Sequence, residues 1–209
     1  MSKSMKHASI LFAGLLVCSL AVLSTRAADE KADGGVKAKI GQPAPQFSLQ
    51  DQDGKTVSLS DFAGKIVVLE WVNPNCPFVQ RHYKAKTFQT LVDEFGGKGV
   101  TWLAINTTHD ATNTFNKEWI TKNNLSYPIL NDSDGVVGHA YGAKTTPEMF
   151  IIGKDGKLLY AGGIDNDKSG EKGSARVNYV QKALGEIMSG QPVSTPETES
   201  YGCSVKFAN

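Results

Sequence analysis

A chain of 209 residues with 22 Lys and Arg against 21 Asp and Glu is nearly neutral. That length suits one domain with a real core. The charge balance points to neither nucleic acid nor an anionic membrane as a partner.

Lys3, Lys6 and His7 precede an apolar run over 10–23, and Ser24-Thr25-Arg26-Ala27-Ala28 follows it. A basic start, a short apolar core and small residues behind it read as a secretory signal peptide over 1–27, cut after Ala27. The run falls short of the ~20 apolar residues that a bilayer span requires. Removing Lys3, Lys6 and Arg26 takes Lys and Arg from 22 to 19 against 21 acids, so the mature charge is about −2. A bacterial protein of this kind is expected in the periplasm or secreted, with no membrane attachment after cleavage. Cys18 leaves with the signal, and Cys76 and Cys203 remain. An even pair in an oxidising compartment is, on spacing alone, more often a structural bridge than a catalytic one.

Residues 28–39 are small, charged and glycine-containing, which suits a flexible lead-in. Phe47 and Leu49, then Val57 and Leu59, flank Asp51-Gln52-Asp53-Gly54 as a β-hairpin with an Asp-Gly turn. The β-favouring run over 66–72 marks a strand buried on both faces. A helix is expected over 77–95, with Phe78, Ala85, Phe88, Leu91, Val92 and Phe95 near helical spacing and Gly96-Gly97 stopping it. A second buried strand over 100–105 follows. Next come a helix marked by Phe115, Trp119 and Ile120, a short extended piece over 127–130 and a short helix over 136–141. A second hairpin pairs 149–152 with 158–161 around Lys154-Asp155-Gly156, and a helix over 174–189 puts Val177, Val180, Ala183, Leu184 and Ile187 on one stripe. Strands alternating with helices, closed by a hairpin and a helix, give a mixed α/β sandwich over 40–189. The polar tail over 190–209, with Pro192 and Pro196, has little to bury and is expected to be an appendage.

The chemistry centres on Cys76, where the buried strand turns into a helix in Trp71-Val72-Asn73-Pro74-Asn75-Cys76-Pro77-Phe78-Val79. Pro77 suits the first helical position because its missing amide hydrogen would have no partner there. Cys76 is then the N-cap, beside free backbone amides at the positive end of the helix dipole. That setting favours thiolate, the nucleophilic form; the bland alternative is a small buried apolar residue. Glu70, near the end of a buried strand, costs free energy unless it is paired or protonated. It is either a raised-pKa acid–base group, or a solvent-reaching residue at the strand edge, or half of an ion pair. Cys203 lies in Tyr201-Gly202-Cys203-Ser204-Val205-Lys206-Phe207, whose odd-numbered residues share one face if extended. It either resolves oxidised Cys76, or forms a structural bridge, or stays an unpaired thiol. Arg81 and His82 lie five and six residues past the cysteine, away from the facing spacings of three or four, so no direct contact with its sulfur is expected. His7, His109 and His139 have no partner at metal-ligand spacing, and the glycines make no phosphate-cradling loop. Neither a metal nor another cofactor is expected.

Taken together, the strand–Cys76–helix element, Thr145-Thr146-Pro147 ahead of a strand, and Glu70 six residues before the cysteine resemble the thioredoxin superfamily. Within it the chain is similar to the redoxin, or AhpC/TSA peroxiredoxin-like, group with a Cys-Pro-Phe-Val segment and a Gly-Cys-Ser ending. The resemblance implies a thioredoxin-like three-layer sandwich, a mixed sheet with helices on both faces, a redoxin-type N-terminal hairpin and an insertion between Cys76 and Pro147. It also implies a cis bond before Pro147, a substrate-binding edge at Thr146 and Pro147, and a buried acid at Glu70. The departures are Val79, where a dithiol oxidoreductase has its second cysteine, and Asn73 and Leu69, where peroxiredoxins hold Thr and Pro. Asn73 is thus expected beside the substrate as a hydrogen-bond donor, in an incomplete peroxide-activating set. Three functions follow: an exported thiol–disulfide oxidoreductase using Cys76, Cys203 and Glu70; a thiol peroxidase passing through a sulfenic acid; or a non-catalytic module with a structural bridge. The corresponding partners are a thiol or disulfide protein substrate or a small peroxide, with a reductant of unspecified kind.

Overall fold

The computed structural model describes residues 37–208. The expected signal peptide over 1–27 and most of the expected lead-in over 28–39 lie outside the described residues. Of the lead-in, 37–39 are fastened rather than loose: the Ala38 amide donates to the Ala140 carbonyl at 2.9 Å, and Lys37 Nζ reaches the His139 carbonyl.

The first hairpin forms as expected from β1 (Ser48–Gln50) and β2 (Thr56–Ser58), with Leu49 opposite Val57. The central strand β3 (Ile66–Trp71) is buried at every residue because both its faces are covered. Even-numbered Ile66, Val68 and Val72 pack with Cys76, and odd-numbered Val67, Leu69 and Trp71 join a second core on the opposite face.

The single helix expected over 77–95 is two helices, α1 (Pro77–Lys84) and α2 (Thr87–Phe95). Their joint holds Lys86 in the left-handed region at φ 54°. The cause is a slip in hydrophobic phase. At about 100° per residue, Phe88 would stand roughly 140° round the axis from Tyr83 in one unbroken helix. The break turns Phe88, Leu91 and Phe95 onto the core that Val79 and Tyr83 already face, and leaves Ala85 exposed.

Next come β4 (Val100–Asn106), α3 (Asn113–Asn123), β5 (Ile129–Asn131), α4 (Val136–Tyr141), the short β6 (Thr145–Thr146), β7 (Glu148–Ile152) and β8 (Leu158–Gly162). The Thr112 hydroxyl caps α3 by accepting from the Phe115 amide. The last helix, α5 (Tyr179–Met188), starts later than expected because the Asn178 side chain caps it on the Gln181 amide. Val177 therefore lies before the helix, exposed, and not on its stripe.

The main sheet has the order β2-β1-β5-β4-β3-β7-β8. β3, β4 and β5 run parallel, and β7, β8 and the first hairpin add antiparallel strands. One core, under α1, α2 and α5, holds Val79, Phe88, Leu91, Val180 and Leu184; the other, under α4, holds Phe47, Trp71, Val137, Tyr141 and Phe150. This is the expected mixed sheet with helices on both faces.

The tail corrects the reading of an appendage. Its polar composition hid how its backbone and its few aromatic rings are used. The Ala161 amide donates to the Pro196 carbonyl and the Thr198 amide to the Ala161 carbonyl, so the chain runs beside β8. It then crosses to form β9 (Cys203–Ser204), antiparallel to β6, with Thr146 opposite Cys203 and Thr145 opposite Ser204. The predicted alternation holds: Tyr201 is buried, Cys203, Val205 and Phe207 are half-buried, and Ser204 and Lys206 are exposed.

Candidate active site

Cys76 is the N-cap of α1, with Pro77 at the first helical position. The approach is a tight turn built by Asn73: its side-chain oxygen accepts the Asn75 amide at 2.8 Å, and its carbonyl accepts the Cys76 amide at 2.9 Å. Asn73 thus shapes the turn, a job its sequence position gave no hint of.

The Thr146–Pro147 bond is cis, and Cys76 Sγ donates to the Thr146 carbonyl at 3.0 Å. The reactive edge and the sulfur therefore face each other. The Thr146 hydroxyl is buried with no hydrogen-bond partner of its own, leaving it free for a sulfur anion. Glu148 holds this edge in place: its carboxylate accepts the amides of Lys144 and Thr145 at 2.6 and 3.1 Å.

Cys203 arrives opposite Thr146 through the β6–β9 pairing, which sets its thiol and amide against Cys76. Both cysteines are free thiols. Burial works against a thiolate at Cys76, but the Cys203 thiol, the Val79 amide in the first turn of α1 and the Thr146 hydroxyl outweigh it; the group lies below the usual thiol range. Cys203 moves the other way, pushed up to about 11 by burial and then by the neighbouring Cys76 thiol. Close approach of the two backbones demands glycine between them and the preceding turn. Gly202 sits at φ +147°, and a Cβ there would overlap the Thr146 carbonyl.

Glu70 is fully buried, which removes the solvent-reaching alternative. Tyr83 Oη donates to one carboxyl oxygen at 2.9 Å, and Trp102 Nε1 and Tyr127 Oη to the other at 2.9 and 3.3 Å. Burial raises its pKa from 4.5 to about 7, the three donors opposing. Tyr83, Trp102 and Tyr127 come from α1, β4 and the loop before β5, so topology alone gathers them.

Sequence reasoning missed the groups that seat the tail. Tyr201 Oη donates to the buried Asp165 carboxylate and lies 3.0 Å from His82 Nε2. With that proton given to Asp165, His82 donates through Nε2 and accepts from Thr87 Oγ1 through Nδ1, at 3.3 Å. Both its nitrogens are thus engaged. Burial lowers the His82 pKa to about 4 and keeps the ring neutral. Arg81 spreads over the Phe78 and Tyr201 rings and donates to the carbonyls of Asp167 and Lys168. At the far side of Cys203, the Phe207 ring stacks on His139 with centroids 3.9 Å apart. The one available signal was the alternating Tyr201–Phe207 segment.

Replacing Tyr201 by Phe is expected to lower stability by about 1–2 kcal/mol, because it leaves the buried Asp165 without its hydroxyl donor. Thermal unfolding reads the loss. Alkylation of Cys76 should quicken at the same time as its cover loosens; an unchanged alkylation rate would mean that Tyr201 does not hold β9 down.

A sulfur at a helix head, facing a cis-proline edge with a second thiol set opposite, belongs to the thioredoxin-like redox enzymes. The AhpC/TSA family model matches residues 40–161, and the chain belongs to that family. It is 31% identical over 123 residues to the thiol-disulfide oxidoreductase ResA of Bacillus thuringiensis subsp. konkukian, which covers 59% of this chain and 69% of the relative. An uncharacterized conserved protein from Geobacillus kaustophilus superposes with a TM-score of 0.74 at 27% identity, over 81% of this chain and 93% of its own. A hypothetical protein from Sinorhizobium meliloti 1021, at 24% identity, shares the fold with a TM-score of 0.73 over 82% of this chain and 96% of its own. Among the described residues no helix is long and apolar enough to cross a membrane.

Proposed function

We propose that this protein is an exported thiol–disulfide oxidoreductase, released by removal of residues 1–27, in which Cys76 is the nucleophile and Cys203 the resolving thiol. The observation that carries the reading is the register of β9 on β6, which sets Cys203 opposite Thr146, whose carbonyl accepts the Cys76 thiol.

In the reaction, the Cys76 thiolate attacks one sulfur of a substrate disulfide. A Cys76–substrate disulfide forms, and the other substrate sulfur leaves as a thiolate. Cys203 then gives up its proton and attacks Cys76 Sγ. The second substrate sulfur leaves, and the Cys76–Cys203 bridge holds the two-electron oxidation. A dithiol reductant regenerates the pair. Thr146 and Pro147 bind the substrate backbone, at the edge that β9 covers in the reduced protein, so the tail lifts to admit a peptide. Asn73 shapes the turn beside that edge. Glu70, titrating near 7, takes up and returns the protons released during exchange.

Reduction of insulin disulfides by dithiothreitol, with the protein as catalyst, tests the reading. Wild type is expected to turn over, whereas Cys203→Ser stalls with substrate covalently held on Cys76, visible as a mass adduct. Failure of the wild type to accelerate the reaction would overturn the oxidoreductase reading. Rapid oxidation by hydrogen peroxide in that same case would turn the assignment to a thiol peroxidase, and inertness in both assays to a non-catalytic module.

A further inference from the structure

The two sulfurs differ in access and in what surrounds them. Cys76 is 1% exposed, beneath β9 and between Val79 and the Thr146 edge. Cys203 is half-buried, on a strand that pairs with β6 along one edge and has exposed Ser204 and Lys206 beside it. Lys206 places a positive charge near Cys203 that draws in an anionic thiolate, though burial and Cys76 still leave Cys203 the less stable anion of the pair.

Resting on the Cys76–Cys203 pairing proposed above, we infer that the reductant enters at Cys203: an external thiolate attacks Cys203 Sγ of the bridge, and Cys76 is the sulfur that leaves. In this step the Cys76–Cys203 bond breaks with its electron pair going to Cys76, and a bond forms between Cys203 and the incoming sulfur. A dithiol reductant completes the cycle. Its second thiolate attacks its own sulfur in the mixed disulfide, the reductant leaves as a disulfide, and Cys203 departs as a thiolate that takes up a proton.

Two arguments beyond access support this direction. Thiol–disulfide exchange is faster when the departing sulfur is the better-stabilised anion. Here the Val79 amide and the unpartnered Thr146 hydroxyl await that anion at Cys76, and the pKa shifts of the two thiols fall in the matching order. Attack at Cys76 would instead need a reductant to pass beneath β9 and would expel the less stable anion at Cys203. The molecule thus divides its traffic: substrate disulfides meet Cys76 after the tail lifts, and reducing thiols meet Cys203 while the tail stays seated.

The test uses the wild-type protein, oxidised and then mixed with excess glutathione. The reaction is stopped at short times in acid containing N-ethylmaleimide, and the adducts are mapped by peptide mass spectrometry. Glutathione is expected on Cys203, with maleimide on Cys76, at least tenfold more often than the reverse. Glutathione mainly on Cys76, or equally on both, would overturn the inference and leave the pairing intact. If oxidation yields no Cys76–Cys203 bridge at all, the pairing falls and the inference with it.

Discussion

Replacing Cys76 by serine is expected to lower disulfide exchange by roughly 10⁴-fold or more while leaving the fold intact. A serine hydroxyl stays protonated under conditions where a thiol yields its anion, so the nucleophile disappears although the side-chain shape is nearly kept. The site tolerates that shape. Serine is a preferred N-cap residue, Cys76 itself makes no side-chain capping bond, and the Thr146 carbonyl that accepts the thiol remains to accept a hydroxyl. The thermal midpoint should stay level or rise slightly, by up to about 1 kcal/mol in stability. Activity and unfolding measured on one preparation check both halves. Exchange activity within tenfold of wild type would mean that another group carries the chemistry.

Glu70→Gln should remove a pH dependence of stability worth about 3.5 kcal/mol. The folded pKa lies near 7 and the unfolded value near 4.5. Below 4.5 both states hold the proton. Between 4.5 and 7 only the folded state holds it, so wild-type stability falls as pH rises, and the loss is complete above about 7. At about 1.4 kcal/mol per pH unit this interval gives about 3.5 kcal/mol. Glutamine reproduces the protonated acid. Its NH₂ donates to Tyr83 Oη, Tyr83 to Tyr127, and Tyr127 and Trp102 to the remaining oxygen, so each hydroxyl in the ring keeps a partner. Denaturant unfolding at pH 5 and pH 8 should show the variant gaining on wild type at the higher pH by about 2.5 kcal/mol, the part of the interval above pH 5, and a constant gap would remove Glu70 as the titrating group. The same variant tests the proton-relay role, since its exchange rate should drop across pH 6–9; an unchanged profile there leaves Glu70 a structural residue only.

What the sequence disclosed, and what it hid, follows from how far each contact reaches along the chain. Cys76 as an N-cap was legible because the buried strand, the turn and Pro77 are contiguous. The Thr146–Pro147 edge was legible through resemblance to a family. The break at Lys86 lay in the sequence as a phase slip between Tyr83 and Phe88, visible only when the helix angles are followed residue by residue. The ring of donors around Glu70 was hidden because α1, β4 and the β5 approach meet only after the sheet is ordered. The tail's polarity suggests loose attachment and conceals its anchoring. Its hold comes from backbone pairing and two aromatic rings, whose partners Asp165, His82 and His139 are distant in sequence.

Those two rings also set how the tail can move. Tyr201 and Phe207 act as pegs on either side of Cys203, and between or beside them the Val205 amide is bonded to the Lys144 carbonyl and the His109 amide to the Lys206 carbonyl. A segment pinned at both ends opens as a whole, so weakening either peg makes that one concerted opening more frequent. Exchange of the Val205 and His109 amide protons with solvent is therefore tied to one shared opening, and the segment behaves as a single cooperative unit.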